Sequence, residues 1–125
     1  MELYNPVGVE FWLVAEPLLL KAIRRDNTHT PESVYQLIKT GQADLWLHDS
    51  HKTAGVTFWL PAVDGPILHV WLAGGRLEEL KEALPSVEAW GQKNGAKRLM
   101  ITGRAGWEKA LPGFRRQAVL MTKEL

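Results

Sequence analysis

The sequence predicts one α+β domain, with a mixed, mainly antiparallel sheet and helices on both of its faces. Apolar residues recur at helical spacing as far as Ile38, the period falls to two between Leu45 and Leu60, and helical and strand-like segments then alternate to the end. With 125 residues the chain can bury one core and not two, so residues 1–125 read as a single domain.

From the N-terminus, Phe11, Trp12, Ala15, Leu18, Leu19, Ala22 and Ile23 fall on one face of a helix. Pro17 either sits in its first turn or kinks it. A second helix has defined ends: Thr30 as N-cap, Pro31 at the first helical position, Val34, Leu37 and Ile38 as the stripe, and Gly41 as the stop. Leu45 and Leu47 then alternate with Trp46 and His48, and Val56, Phe58 and Leu60 with Thr57 and Trp59, across a polar turn at residues 49–52. That pattern is a hairpin. Asp64-Gly65-Pro66 marks the next turn, and residues 67–72 are apolar on both sides apart from His69, as in a central strand covered twice.

Leu77, Leu80, Leu84, Val87 and Trp90 keep one helical stripe through Pro85, as one kinked helix or two short ones, and Asn94-Gly95 stops it. Residues 97–102 read as a short buried strand and residues 103–107 as a glycine-punctuated turn into a brief helix. Leu111-Pro112-Gly113-Phe114 then leads into a last strand. The strand at 67–72 should lie beside residues 99–102, parallel to it, joined by a right-handed crossover through the helical segment 77–94. Leu80, Trp90 and Leu99 are expected in the core, where Trp90→Ala would cost roughly 3 to 5 kcal/mol.

Composition narrows the function classes. The absence of cysteine excludes disulfides, thiolate metal sites and a cysteine nucleophile, and fits a reducing compartment. No apolar run approaches bilayer length and no basic-then-apolar leader opens the chain, so a membrane or secreted location is not expected. Net charge is +1, but residues 97–125 hold seven Lys/Arg against two Asp/Glu. Lys97, Arg98, Arg104, Lys109, Arg115 and Arg116 either meet an anion or form a solvated face; their scatter over several elements argues against a nucleic-acid surface.

The order helix, strand, short helix, strand, closed by Gly113-Phe114 before the last strand, resembles the C-terminal half of the GNAT (Gcn5-related N-acetyltransferase) fold. The whole order of elements matches it, with the first strand weak or missing and only residues 1–9 able to supply one. Gly41-Gln42-Ala43-Asp44-Leu45-Trp46-Leu47 and the Gly-Arg-x-Gly-Trp turn at residues 103–107 are similar to small GNAT-like proteins of phages and prophages, among them podovirus proteins tied to the internal virion proteins. The resemblance implies an acyl-CoA N-acyltransferase fold and acetyl-CoA as cofactor. It also implies phage structural proteins or a second copy of the chain as partners, and the host cytoplasm or the virion as location.

Under that resemblance the CoA pyrophosphate would meet backbone amides at Ala73-Gly74-Gly75-Arg76, with Gly74 and Gly75 allowing close approach and Arg76 pairing with a phosphate. The pantetheine arm would run along the strand past Val70 and Leu72. This junction is shorter than the Arg/Gln-x-x-Gly-x-Gly/Ala loop of the enzymes, and a glycine pair also simply turns a strand into a helix. Residues 103–114 contain no Tyr, where many GNAT enzymes carry a general acid. His69 is the one titratable group on the central strand, either a base or a packed ring with a single hydrogen bond. His48-Asp49-Ser50-His51 offers catalytic residue types, but neighbours in a strand and turn point apart, and no second motif completes a metal site. Among six tryptophans, Trp46, Trp59 and Trp71 serve the core or anchor a partner. Two functions stay open: a phage accessory protein with degenerate chemistry, and an active acetyl-CoA-dependent N-acetyltransferase.

Overall fold

The computed structural model describes residues 6–103, 107–119 and 121–125. A 3-10 turn at Val9–Phe11 leads into α1 (Trp12–Asp26) and α2 (Pro31–Lys39). Three strands follow, β1 (Asp44–Leu47), β2 (Thr53–Leu60) and β3 (Ile67–Gly75), then α3 (Leu77–Lys93), β4 (Arg98–Ile101) and α4 (Trp107–Ala110). Among the described residues no helix is long and apolar enough to cross a membrane.

Local chemistry accounts for the helix ends. Thr30 Oγ1 accepts from the Ser33 amide at 3.1 Å and Ser33 Oγ accepts from the Thr30 amide at 2.9 Å. This reciprocal cap is worth about 1 kcal/mol. Asn94 caps α3 and Gly95 follows at φ 97°, the left-handed turn that stops the helix. Pro17 lies in the second turn of α1 and not the first, and α3 is one helix through Pro85. Each helix gives up the hydrogen bond the proline cannot donate and is held by its buried stripe.

The sheet order is β1-β2-β3-β4, antiparallel between the first three strands and parallel between β3 and β4, which α3 joins. It is the mixed, mainly antiparallel sheet that the hydrophobic pattern predicts, with helices on both faces. α1 and α2 cover one face, packing Trp12, Ala15, Leu19, Ile23, Val34 and Ile38 against Leu45, Leu47, Val56 and Leu72. On the other face Ala83 and Val87 of α3 meet Trp46, Leu68 and Val70. Trp46 is 1% exposed, and its indole donates to Thr57 Oγ1 at 2.9 Å, so the ring is buried without an orphaned donor. Trp71 is also buried and Trp59 half-buried, placing both in the packing of the two faces.

Two expectations need correction. No strand follows Phe114 among the described residues; residues 115–119 and 121–125 are exposed, and Val119 and Met121 bury no face against a neighbouring strand. β4 is therefore the outer strand among the described residues. Trp90 and Leu99 are for that reason half-buried rather than core, whereas Leu80 is buried. The first strand, expected to be weak or missing, is among the described residues one antiparallel bridge, in which the Val7 amide donates to the Leu45 carbonyl at 2.8 Å. Residues 1–5, residues 104–106 of the glycine-rich turn and Leu120 lie outside the described residues.

Candidate functional site

β3 parts from β4 halfway along its length. The parallel ladder pairs Ile67 with Arg98, Leu68 with Leu99, His69 with Met100 and Val70 with Ile101, and one further bond runs from the Thr102 amide to the Val70 carbonyl at 3.2 Å. On the opposite side of β3 the register shifts at the same place: Val56 faces Leu72, Thr57 faces Val70, and Trp71 is left without a partner. Such a bulge bends its strand. The bend explains why the ladder stops there, and why Trp71 and Leu72, consecutive in sequence, both pack under α1 and α2. Beyond Val70, β3 keeps only β2 as a strand partner among the described residues.

A cleft of about 470 Å³ opens beside this free stretch of β3. Pro17, Leu18, Lys21, Ala22 and Arg25 of α1 form one wall; Thr53, residues 73–77 and Leu80 form the other, with Trp107 at the margin. Among the described residues its lining includes three cations, Lys21, Arg25 and Arg76, and no acid. Gly74, Gly75 and Arg76 thus lie in the cleft, whereas Val70 and Leu72 are buried and are not among the residues that line it. Both glycines are held tightly by the chain itself: a Cβ on Gly74 would overlap the Leu18 carbonyl, and one on Gly75, whose φ is 115°, would overlap the Lys52 carbonyl. The Arg76 amide donates to Thr53 Oγ1 at 2.9 Å. None of the described basic residues beyond position 96 lines the cleft; Arg98 pairs with Asp64 at 3.2 Å. Lys21 and Arg25 were hidden in a sequence half that is acidic overall. Their four-residue spacing on the α1 helix was the one signal that put them on a common face.

Where β3 leaves β4, the α1 side of the sheet carries a second group of residues. His69 is 8% exposed and its Nε2 lies 2.6 Å from Thr102 Oγ1, while Nδ1 is buried with no hydrogen-bond partner. The ring meets Phe58 edge to face at 4.8 Å, and Phe58 meets Trp71 in the same way at 5.6 Å. Trp71 donates its indole N–H to Asp26 Oδ1 at 3.1 Å, and the His29 ring stands edge-on to it at 4.9 Å. Burial pushes the His69 pKa below the ordinary 6.5, and the nearby Asp26 carboxylate only partly opposes that. The ring is therefore neutral at pH 7. If Nε2–H donates to Thr102, the orphaned atom is a lone pair on Nδ1, the less costly defect and a free base.

The polar turn at residues 49–52 joins a different network. Glu79, in the first turn of α3, accepts from Thr53 Oγ1 at 2.6 Å and Ser50 Oγ at 2.9 Å, with Arg76 and His48 each 3.8 Å away. The Thr53 hydrogen bond, with Ser50, His48 and Arg76 adding to it, holds the Glu79 carboxyl below its ordinary value against the effect of burial. His48 accepts the Ser50 amide on Nδ1 at 3.0 Å. These residues tie the β1–β2 turn to α3, so the catalytic residue types of the turn are assembled here as structure. Among the described residues no three His, Asp or Glu side chains converge as a metal site.

Solved structures share the fold over nearly the whole chain. A probable acetyltransferase superposes with a TM-score of 0.69 at 12% identity, covering 97% of this chain and 95% of its own. A ribosomal-protein-alanine N-acetyltransferase from Brucella melitensis biovar Abortus 2308 gives 0.67 at 10% identity over 97% and 95% of the two chains. An aminoglycoside acetyltransferase, HMB0005, from an uncultured soil metagenomic sample gives 0.67 at 10% identity over 97% and 96%. No family model and no curated protein matches the sequence. The fold is that of the GNAT acetyltransferases.

Proposed function

We propose that this chain binds an acyl-CoA thioester, with the phosphoryl groups in the cleft between α1 and the start of α3, and transfers its acyl group to an amine near the end of the β3–β4 ladder. The observation that carries this reading is the coincidence of two features among the described residues: β3 loses its β4 partner after Val70, and the cleft at that open edge holds three cations and no acid. Unpaired backbone along β3 suits an amide-bearing arm such as pantetheine. The cationic lining suits phosphate.

When bound, the thioester supplies an activated acyl carbon. The chain's own contribution is positioning and a base. His69 accepts one proton from the acceptor ammonium, the freed amine nitrogen bonds to the acyl carbon as the C–S bond breaks, and the nitrogen's remaining surplus proton passes to the departing sulfur. His69 then returns its proton to solvent. Thr102 orients the ring, and the aromatic enclosure of Phe58 and Trp71 keeps it neutral and ready.

A second reading is a phage accessory protein with degenerate chemistry, acting through protein contacts; the Glu79 carboxylate bears only on its degeneracy, since it stands at the α3 start where an anion would otherwise bind. Calorimetric titration with acetyl-CoA separates the two. We expect saturable binding, weakened at least about tenfold by Arg76→Glu, which adds a second carboxylate beside Glu79 and removes a phosphate partner. An absence of heat at about millimolar acetyl-CoA, the weakest affinity worth naming a site, would overturn the acyl-transfer reading in favour of the second.

A further inference from the structure

We propose that Lys21 and Arg25 of α1 are the phosphate-reading residues of this cleft, and that they select free acyl-CoA, with its several phosphoryl groups, over a thioester borne on a single phosphodiester such as carrier-protein phosphopantetheine. The inference rests on the acyl-CoA reading above and goes beyond it to the class of donor.

The space beside both glycines of this junction is filled by the chain itself. α1 fills the space beside Gly74 through the Leu18 carbonyl, the Lys52 carbonyl and Thr53 fill the space beside Gly75, and the Arg76 amide is spent on Thr53 Oγ1. Glu79 adds a negative charge at the α3 start. Side chains add to what can hold an anion here: among the described residues the lining supplies three cations, of which Arg76 already stands 3.8 Å from Glu79, leaving Lys21 and Arg25. Lys21 and Arg25 stand one turn apart on the same wall, exposed, and neither is paired with an acid among the described residues. Like charges at this spacing repel each other. The negative end of the α1 dipole compensates Arg24 and Arg25 in the last turn, yet it does not reach Lys21 and does not explain why the acid-free wall faces a cleft. A ligand with several negative charges relieves that repulsion. A single phosphodiester offers one charge to the pair Lys21 and Arg25, whereas the pyrophosphate and ribose phosphate of CoA can meet both.

The test is calorimetry with four donors, acetyl-CoA, acetyl-dephospho-CoA, acetyl-phosphopantetheine and acetyl-pantetheine, on the wild type and on Lys21→Ala/Arg25→Ala. Alanine suits an exposed helix, and circular dichroism with a urea melt checks that the fold is kept. Wild-type affinity should fall stepwise along the series, by at least about tenfold between the first donor and acetyl-phosphopantetheine. In the double variant the series should flatten, its salt dependence should shrink, and acetyl-pantetheine should bind as before. A control change at Lys39 on α2, outside the cleft, should alter nothing. Equal wild-type affinity for acetyl-CoA and acetyl-phosphopantetheine, or a double variant that keeps the wild-type series, overturns the proposal while leaving the acyl-CoA reading standing. Equal loss of acetyl-pantetheine binding assigns the two residues a structural role and also overturns it. If no donor binds to the wild type, both fall together.

Discussion

Gly74 lies directly beneath Leu18, so close that a Cβ at position 74 would overlap the Leu18 carbonyl oxygen. This contact seats α1 on the end of β3 and so brings Lys21 and Arg25 to face Arg76 across the cleft. Gly74→Ala must push a helix backbone away, and should destabilise the protein by about 2 kcal/mol, in the range of overpacked cores. Urea unfolding measures it. A loss below about 0.5 kcal/mol would show that α1 is free to move at this point.

Trp90 stands edge-on to Trp46 with ring centroids 5.2 Å apart and inclined to Trp59 at 5.8 Å. Because it is half-buried, Trp90→Ala forfeits part of a core truncation together with the aromatic contacts, about 2 kcal/mol in place of the 3 to 5 expected from the sequence. Denaturant melts should also show a changed tryptophan fluorescence, since Trp46 loses its neighbour.

His69→Gln keeps a polar side chain at position 69 and removes the base. If acetyl transfer is detected, kcat should fall by roughly a hundredfold or more. The wild-type pH profile should rise with a midpoint below 6.5, and the variant should lose that limb. Stability carries the same sign. The unfolded chain takes up a proton on His69 before the folded one does, so native stability declines as pH drops below about 6.5. The variant should lack that component of the decline. A kcat unchanged by the substitution would remove His69 from the chemistry.

Thr53→Val deletes the main hydrogen bond that holds the Glu79 carboxyl below its ordinary pKa of 4.5. The stability this carboxylate contributes is complete above 4.5 and is lost as pH falls through its lowered value. The variant should therefore unfold in acid at a higher pH than wild type, and Thr53→Ser should restore the midpoint by returning the hydroxyl. Identical acid midpoints for Val and wild type would show that Ser50 and Arg76 suffice to hold Glu79.

Sequence alone determined what depends on short-range periodicity. The stripes of α1, α2 and α3, the Thr30 cap, the Asn94-Gly95 stop, the hairpin and the two-sided central strand all follow from residues within a turn or a strand of one another. The parallel neighbour of that strand follows as well, since a strand, helix, strand order leaves few other arrangements. Tertiary structure alone decided the site. The bulge at Trp71 is silent in the sequence because the apolar run from Val70 to Leu72 has no alternation to break. Gly74 and Gly75 read equally as a turn or a phosphate cradle until Leu18 and Lys52 were found against them. The packing of α1 on β3 brought Lys21 and Arg25 to Arg76, and the parallel register of β3 on β4 brought His69 to Thr102, across separations that no local pattern encodes. Local pattern fixes which face a residue occupies; which distant residue it meets is set by how helices and strands pack once those faces are buried.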